Sequence, residues 1–219
     1  MRTMRGLVCP VGAAVLLSLL GLLSDCEAAP REQVIPILGT AHGREPQGSV
    51  AYIHLTFEER GDHHGLQIRF HDKPGKFSRM AQTSAEQAIV RTARSLGLST
   101  DSWTVDLRIP HEGVTLFGDS LSAMVGLTVA AMAQGKTVPA GYVLTGTVTA
   151  EGDIGPVGSI PLKVQAARAA QLRRVLVPNQ PSPEEPADSV EPTRFTTQVS
   201  PVRSVPEAYE ALTDSSAPR

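Results

Sequence analysis

Two short stretches hold the side chains best suited to chemistry. Gly118-Asp119-Ser120-Leu121-Ser122-Ala123 offers a serine on a loop where an apolar helix begins. Gly155-Pro156-Val157-Gly158-Ser159-Ile160-Pro161-Leu162-Lys163 offers a lysine in apolar company at the start of another helix. A hydroxyl is a poor nucleophile until a base takes its proton, and a desolvated lysine is such a base. Taken singly the two residues say little. A serine before a helix is ordinarily an N-cap, and a lysine near a helix start is ordinarily solvated. Their order, and the sequence around them, give them weight.

The elements that must position them can be read from hydrophobic periodicity. Ala51, Ile53, Leu55 and Phe57 alternate with polar residues as a half-buried strand, and Leu66, Ile68 and Phe70 alternate again, which predicts a hairpin. Phe77, Ala81, Ala85, Ala88, Ile89, Ala93 and Leu96 recur at helical spacing, with Gly97 where a C-terminal glycine belongs. Trp103 to Ile109 is a third strand, and Leu121 to Ala133 an apolar helix. A β-rich run follows from Tyr142 to Thr149, then a short strand or turn from Ile154 to Gly158. Pro161 opens a helix to about Leu172, since proline is tolerated in a first turn. Val175 to Val177 is a short buried strand, Gln180 to Pro192 a proline-rich acidic loop, Thr197 to Val199 a strand and Val205 to Leu212 a helix. This irregular mixture predicts an α+β domain of small mixed sheets with packed helices.

Residues 1–28 read as a signal peptide. Arg2 and Arg5 precede an apolar run from Leu7 to Leu23, and Cys26-Glu27-Ala28 offers small residues for cleavage after Ala28. Export to a periplasm or the exterior is the expectation. An uncleaved membrane anchor is the alternative, and Asp25 fits acylation at Cys26 poorly. Both cysteines, Cys9 and Cys26, lie in this segment, so no disulfide is expected in a mature chain. Residues 29–48 read as a flexible segment, 49–213 as the folded domain and 214–219 as a disordered tail. The net charge of −2 gives no basic field to draw the protein to nucleic acid.

The serine and lysine stretches, with what lies between and around them, resemble the proteolytic domain of Lon-type proteases. In that family the nucleophile lies in a Pro-Ser-Ala-Gly motif preceded by an acid and a glycine; the matching stretch is Asp119-Ser120-Leu121-Ser122-Ala123-Met124. A strand ending in Thr-Gly follows, here Val143-Leu144-Thr145-Gly146, and then a glycine-rich run to the lysine, here Gly152 to Ser159 leading to Lys163. Arg91 to Gly97, Ile109-Pro110, Val175 to Pro178 and Val199 to Arg203 extend the likeness, which covers about Gly48 to Thr213. The resemblance implies a serine–lysine dyad. Ser122 attacks a peptide carbonyl, Lys163 takes its proton, Thr145 orients the lysine, and Asp119 supports the serine loop. Backbone amides around Ser122 are the expected oxyanion donors. The dyad requires a neutral amine, with a pKa drawn down from about 10.4 toward roughly 7–8. No cofactor or metal is implied, polypeptides are the expected substrates, and the family's rings make a homo-oligomer an expectation to test. Met124, Leu121, Thr147 and Pro161 depart from the family pattern; in particular, Thr147 stands where many relatives carry an acid.

Lon proteases pair this domain with an ATPase module, for which the sequence leaves no room; an ATP-independent peptidase acting on flexible or unfolded chains is expected. Gly135-Lys136-Thr137 echoes the tail of a P-loop, but Ala130 stands at the required first glycine and the run follows a helix. Two rival readings remain. Phe117 to Ser122 resembles the nucleophile block of GDSL-type esterases, with Ser120 attacking, but all six histidines precede it. The other is a weakened Lon-like domain serving as a binding or assembly module. The Asp62-His63-His64, His71-Asp72 and His111-Glu112 clusters lack metal-ligand spacing and read as solvated turns.

Overall fold

A four-stranded sheet is laid down first. Strand β1 (Arg31–Ala41) turns back into β2 (Gln47–Glu59), antiparallel from Arg31 opposite Phe57 to Ala41 opposite Gln47. Strand β5 (Trp103–Arg108) lies antiparallel to β2, and β3 (Gln67–Phe70) lies parallel to β5, giving the order β1-β2-β5-β3. The computed structural model describes residues 31–41, 45–180 and 197–214. The signal-peptide reading of 1–28, most of the acidic loop and most of the C-terminal tail lie outside the described residues.

Two sequence expectations are corrected here. The segment read as flexible holds β1, whose Ile35, Ile37 and Leu38 are buried. Pro36 breaks the alternation that would have revealed the strand; it is tolerated because β1 is an edge strand. The hairpin expected between β2 and β3 is not formed, because β5 lies between them. Arg60 holds the crossing, its guanidinium donating to the Trp103 carbonyl at 2.7 Å and to Thr104 Oγ1 at 2.6 Å.

Short strands β4 (Lys76–Phe77) and β6 (Thr115–Leu116) pair with each other. Between β3 and β5 runs α1 (Arg79–Ser95), capped at its start by Ser78 Oγ accepting from the Ala81 N–H at 3.2 Å. Its end is closed by Gly97, whose φ of +67° is the left-handed value that favours glycine. Helix α2 (Ser122–Ala133) is apolar all round and has eleven of its twelve residues buried, so it is the central helix. It lies close along α1 at Gly126, where a Cβ would come within 2.8 Å of the Ala88 carbonyl oxygen.

A three-stranded parallel sheet follows, in the order β11-β10-β7: β7 (Tyr142–Leu144), β10 (Arg174–Pro178) and β11 (Gln198–Val202). The β-rich run expected from Tyr142 to Thr149 divides into β7 and the small β8 (Thr147–Val148), which pairs antiparallel with β9 (Ile154–Gly155). Helix α3 (Ile160–Ala169) is the crossover from β7 to β10, and α4 (Val205–Thr213) closes the chain against α2. Alternation along β7 serves two cores. Tyr142 and Leu144 join the large cluster that contains α2, while Val143 joins a smaller one with Val164, Ala167 and Leu38. Helices α2 and α3 therefore pack on opposite faces of this sheet.

Candidate active site

Ser122 is the first residue of α2 rather than its cap. The N-cap is Leu121, already in helical geometry, and no side-chain capping bond is made. The residue is 1% exposed and lines a small cleft of about 250 Å³ between α1, the serine loop and β8. Ser120, two residues earlier, lies in the turn before the helix.

The serine loop is clipped to the end of β7. The Gly146 N–H donates to the Ser120 carbonyl at 2.9 Å, and the Ala123 N–H donates to the Gly146 carbonyl at 3.1 Å. Thr145, just before Gly146, anchors the strand end by donating its N–H to the Leu176 carbonyl at 3.1 Å. Ser122, Thr145 and the strand end thus form one rigid unit.

Lys163 arrives from the other face. It is the fourth residue of α3, and its N–H makes the first helical hydrogen bond, to the Ser159 carbonyl at 3.1 Å. A crossover helix between parallel strands starts at their C-terminal ends, so Lys163 enters at the end of β7 that carries Thr145. Pro161 supports the first turn, as the sequence predicts. Gly48 of β2 passes so close that a Cβ there would lie 1.9 Å from the Leu162 carbonyl oxygen. Lys163 is 5% exposed, and among the described residues it is the only buried lysine, arginine, histidine or acid. Burying such a group costs several kcal/mol unless it is compensated, roughly, and such costs concentrate where function requires them.

Two expected interactions are not made. Thr145 Oγ1 is buried and has no hydrogen-bond partner, so it does not hold the lysine in this arrangement. Nor are the first α2 amides aimed at a substrate. The Ser122 N–H donates to the Asp119 carbonyl at 2.9 Å, and the Ala123 N–H is the one held by Gly146. The preceding turn and the end of β7 take up donors that a bare helix N-terminus would leave open. Asp119 supports the loop through its backbone carbonyl, and its exposed side chain lines the rim of the cleft.

One group of cleft residues was not singled out from the sequence as part of the site. Ser84, Gln87 and Arg91 on α1 face Ser122 across the cleft. Their i, i+3, i+7 spacing is the signal that could have found them: a polar stripe running beside the buried apolar face of α1.

Other motifs find ordinary structural roles. Gly135, with φ of +70°, ends α2, and Lys136 lies over the Tyr209 ring at 5.0 Å, so the Gly-Lys-Thr run closes a helix rather than opening one around a phosphate. His71 Nε2 pairs with Asp106 at 2.9 Å. Asp62 is held below the usual carboxylate range, chiefly by the His64 backbone N–H and further by the Arg60 guanidinium, against an opposing contribution from desolvation. Among the described residues, no three His, Cys, Asp or Glu side chains are grouped to hold a metal ion.

The family model of the Lon protease (S16) C-terminal proteolytic domain matches residues 72–212. The chain belongs to the Lon proteolytic-domain family. Among its relatives, the Lon protease of Methanosarcina barkeri is 23% identical over 210 residues, 95% of this chain and 26% of that protein. The Lon protease of Halothermothrix orenii is 31% identical over 39% of this chain and 11% of its own length. The peroxisomal Lon protease homolog 2 of Danio rerio is 33% identical over 35% of this chain and 9% of its own. The chain thus spans about a quarter or less of the length of these relatives. The mixed α/β architecture, with four helices and several small sheets among the described residues, is consistent with a Lon proteolytic domain.

Proposed function

We propose that this protein is a serine endopeptidase that uses Ser122 and Lys163 to cut flexible or unfolded polypeptides without ATP. One observation carries the reading. Within a Lon proteolytic domain, the one lysine buried among the described residues and a buried, cleft-lining serine sit on helices that begin at the same end of β7. General-base work needs a neutral amine, and burial is one of the conditions that disfavour an ammonium ion.

In the proposed reaction the Ser122 Oγ attacks the carbonyl carbon of the scissile bond as its proton passes to Lys163 Nζ. The tetrahedral intermediate collapses, the C–N bond breaks, and the lysine returns the proton to the leaving amine. A water then gives its proton to Lys163 and attacks the ester carbonyl; the second tetrahedral intermediate collapses, the bond from the acyl carbon to Oγ breaks, and Lys163 returns the proton to Ser122 Oγ. An oxyanion donor is required, and a small opening of the turn at Asp119 would free the Ser122 N–H for it. Export is proposed from the basic and apolar N-terminal run; no helix among the described residues is long and apolar enough to cross a membrane.

The alternative, a binding or assembly module, draws on the occupied Ser122 and Ala123 amides and the unpartnered Thr145 hydroxyl. Digestion of unfolded casein without nucleotide decides between them. The parent and Ser120→Ala are expected to cut, while Ser122→Ala and Lys163→Ala do not. A parent silent from neutral to mildly alkaline pH favours the module.

A further inference from the structure

The cleft beside Ser122 has a chemical character of its own. Its volume of about 250 Å³ compares with roughly 30 Å³ for one water in the liquid, so it has room for a side chain of any size. Its walls are polar: Ser84 and Gln87 on one side, Thr147 and Thr149 on the other. Arg91 is half-buried in it and donates Nη1 to the Val148 carbonyl at 2.7 Å, which fixes the guanidinium against β8. A guanidinium has five N–H donors, so this bond leaves most of them for another acceptor. Among the described residues, no acid lies within the 4.0 Å of an ion pair with Arg91. Thr147, directly in the cleft, is neutral. The one acid on the cleft, Asp119, is exposed at its rim, where water and salt screen it.

Several other basic groups of the fold are already engaged. Arg60 is paired with Asp62 and Arg69 with Asp106, while Arg173 and Arg174 lie over the Tyr142 ring. A fixed, half-buried guanidinium without a carboxylate, facing a cleft that admits a side chain next to a nucleophile, is a recognition element for an anion. We infer that Arg91 selects an aspartate or glutamate in the substrate at the position flanking the bond to be cut. This rests on the reading of Ser122 as nucleophile.

The test maps the cuts made in unfolded casein by the full chain, using mass spectrometry. Cuts flanking aspartate or glutamate are expected to be enriched several-fold over composition. Arg91→Gln and Thr147→Glu, the latter placing a carboxylate opposite Arg91 without disturbing its bond to Val148, are expected to bring that enrichment to background. Cuts enriched at apolar residues, or an enrichment indifferent to both variants, overturn the inference. Binding separates this from failure of the peptidase reading. Labelled octapeptides differing at one position are titrated into the Ser122→Ala protein. The glutamate peptide is expected to bind about tenfold more tightly than its glutamine or lysine counterpart, as one charge-assisted hydrogen bond provides. Thr147→Glu in that background is expected to abolish the difference. Equal binding overturns the inference; discrimination in a parent that does not cleave keeps Arg91 as an anion selector and removes the peptidase.

Discussion

Helices α2 and α3 reach the same end of β7 from opposite faces, and they are built by opposite rules. Helix α2 is buried on every side, and its polar Thr128 satisfies itself by donating to the Met124 carbonyl at 2.8 Å. Helix α3 buries only Lys163, Val164 and Ala167. The serine is carried by an element the core would keep for packing alone. The lysine is carried by an element that buries little besides it. The contrast teaches that Ser122 shares its burial with a whole helix, whereas Lys163 is one of the few residues its helix turns inward.

The strongest way to break that comparison is to replace each residue by an apolar or smaller one. Ser122→Ala and Lys163→Met are both expected to lower casein cleavage at least about a thousandfold. Thermal unfolding should then separate them: the midpoint of Ser122→Ala holds, because an alanine suits an apolar helix, whereas that of Lys163→Met falls, because a buried polar side chain loses its interaction. Equal midpoints would mean that the two burials are equivalent.

Next in size are the two glycines that set the helices in place. Gly48→Ala drives a methyl into the Leu162 carbonyl and should displace the first turn of α3; Gly126→Ala wedges α2 from α1. Each is expected to cost about 1–3 kcal/mol in chemical denaturation. Only Gly48→Ala should lower kcat beyond what lost folding explains, since it moves the lysine directly. Equal losses of kcat would blur the distinction between the two helices.

A smaller effect lies on the far side of α2. Tyr209 packs there with its hydroxyl buried and unpartnered, and burial raises its pKa above the ordinary 10.0. A raised folded pKa means that its contribution is complete below pH 10.0 and is lost as the pH climbs through the folded value. Tyr209→Phe should therefore flatten the alkaline end of the stability profile and leave neutral stability unchanged or slightly improved. An unchanged alkaline slope would show that the ring titrates as freely folded as unfolded.

Much of this was legible in the sequence because periodicity reports burial directly. The 3.6-residue pattern from Ala81 to Ala93 and the alternation of Trp103, Val105 and Leu107 can satisfy themselves in few other ways. The position of Ser122 and Lys163 was legible too, since each sits at a helix start marked by loop glycines. Strand β1 was hidden because Pro36 interrupts its alternation, and the placement of β3 because pairing across β5 is a long-range choice that no local pattern records. The occupied amides of Ser122 and Ala123 depend on how one turn folds back onto Gly146. The role of Arg91 depends on which acids fail to reach it, and neither is a property of spacing.

Strand β1 gives the chain a kinetic order as well as a place. Its Ile35 and Ile37 belong to one core and its Leu38 to the other, yet its pairing with β2 closes over only a short turn. Local hairpins form before distant parallel strands, whose loop closure is slow. The β1–β2 hairpin is thus the template on which both halves assemble, and Leu38→Ala should slow refolding in stopped-flow measurements as well as speed unfolding. A change confined to unfolding would make the hairpin a late arrival. The lysine's helix, packed against this hairpin at Gly48, would then take its position only once the slower parallel strands had closed.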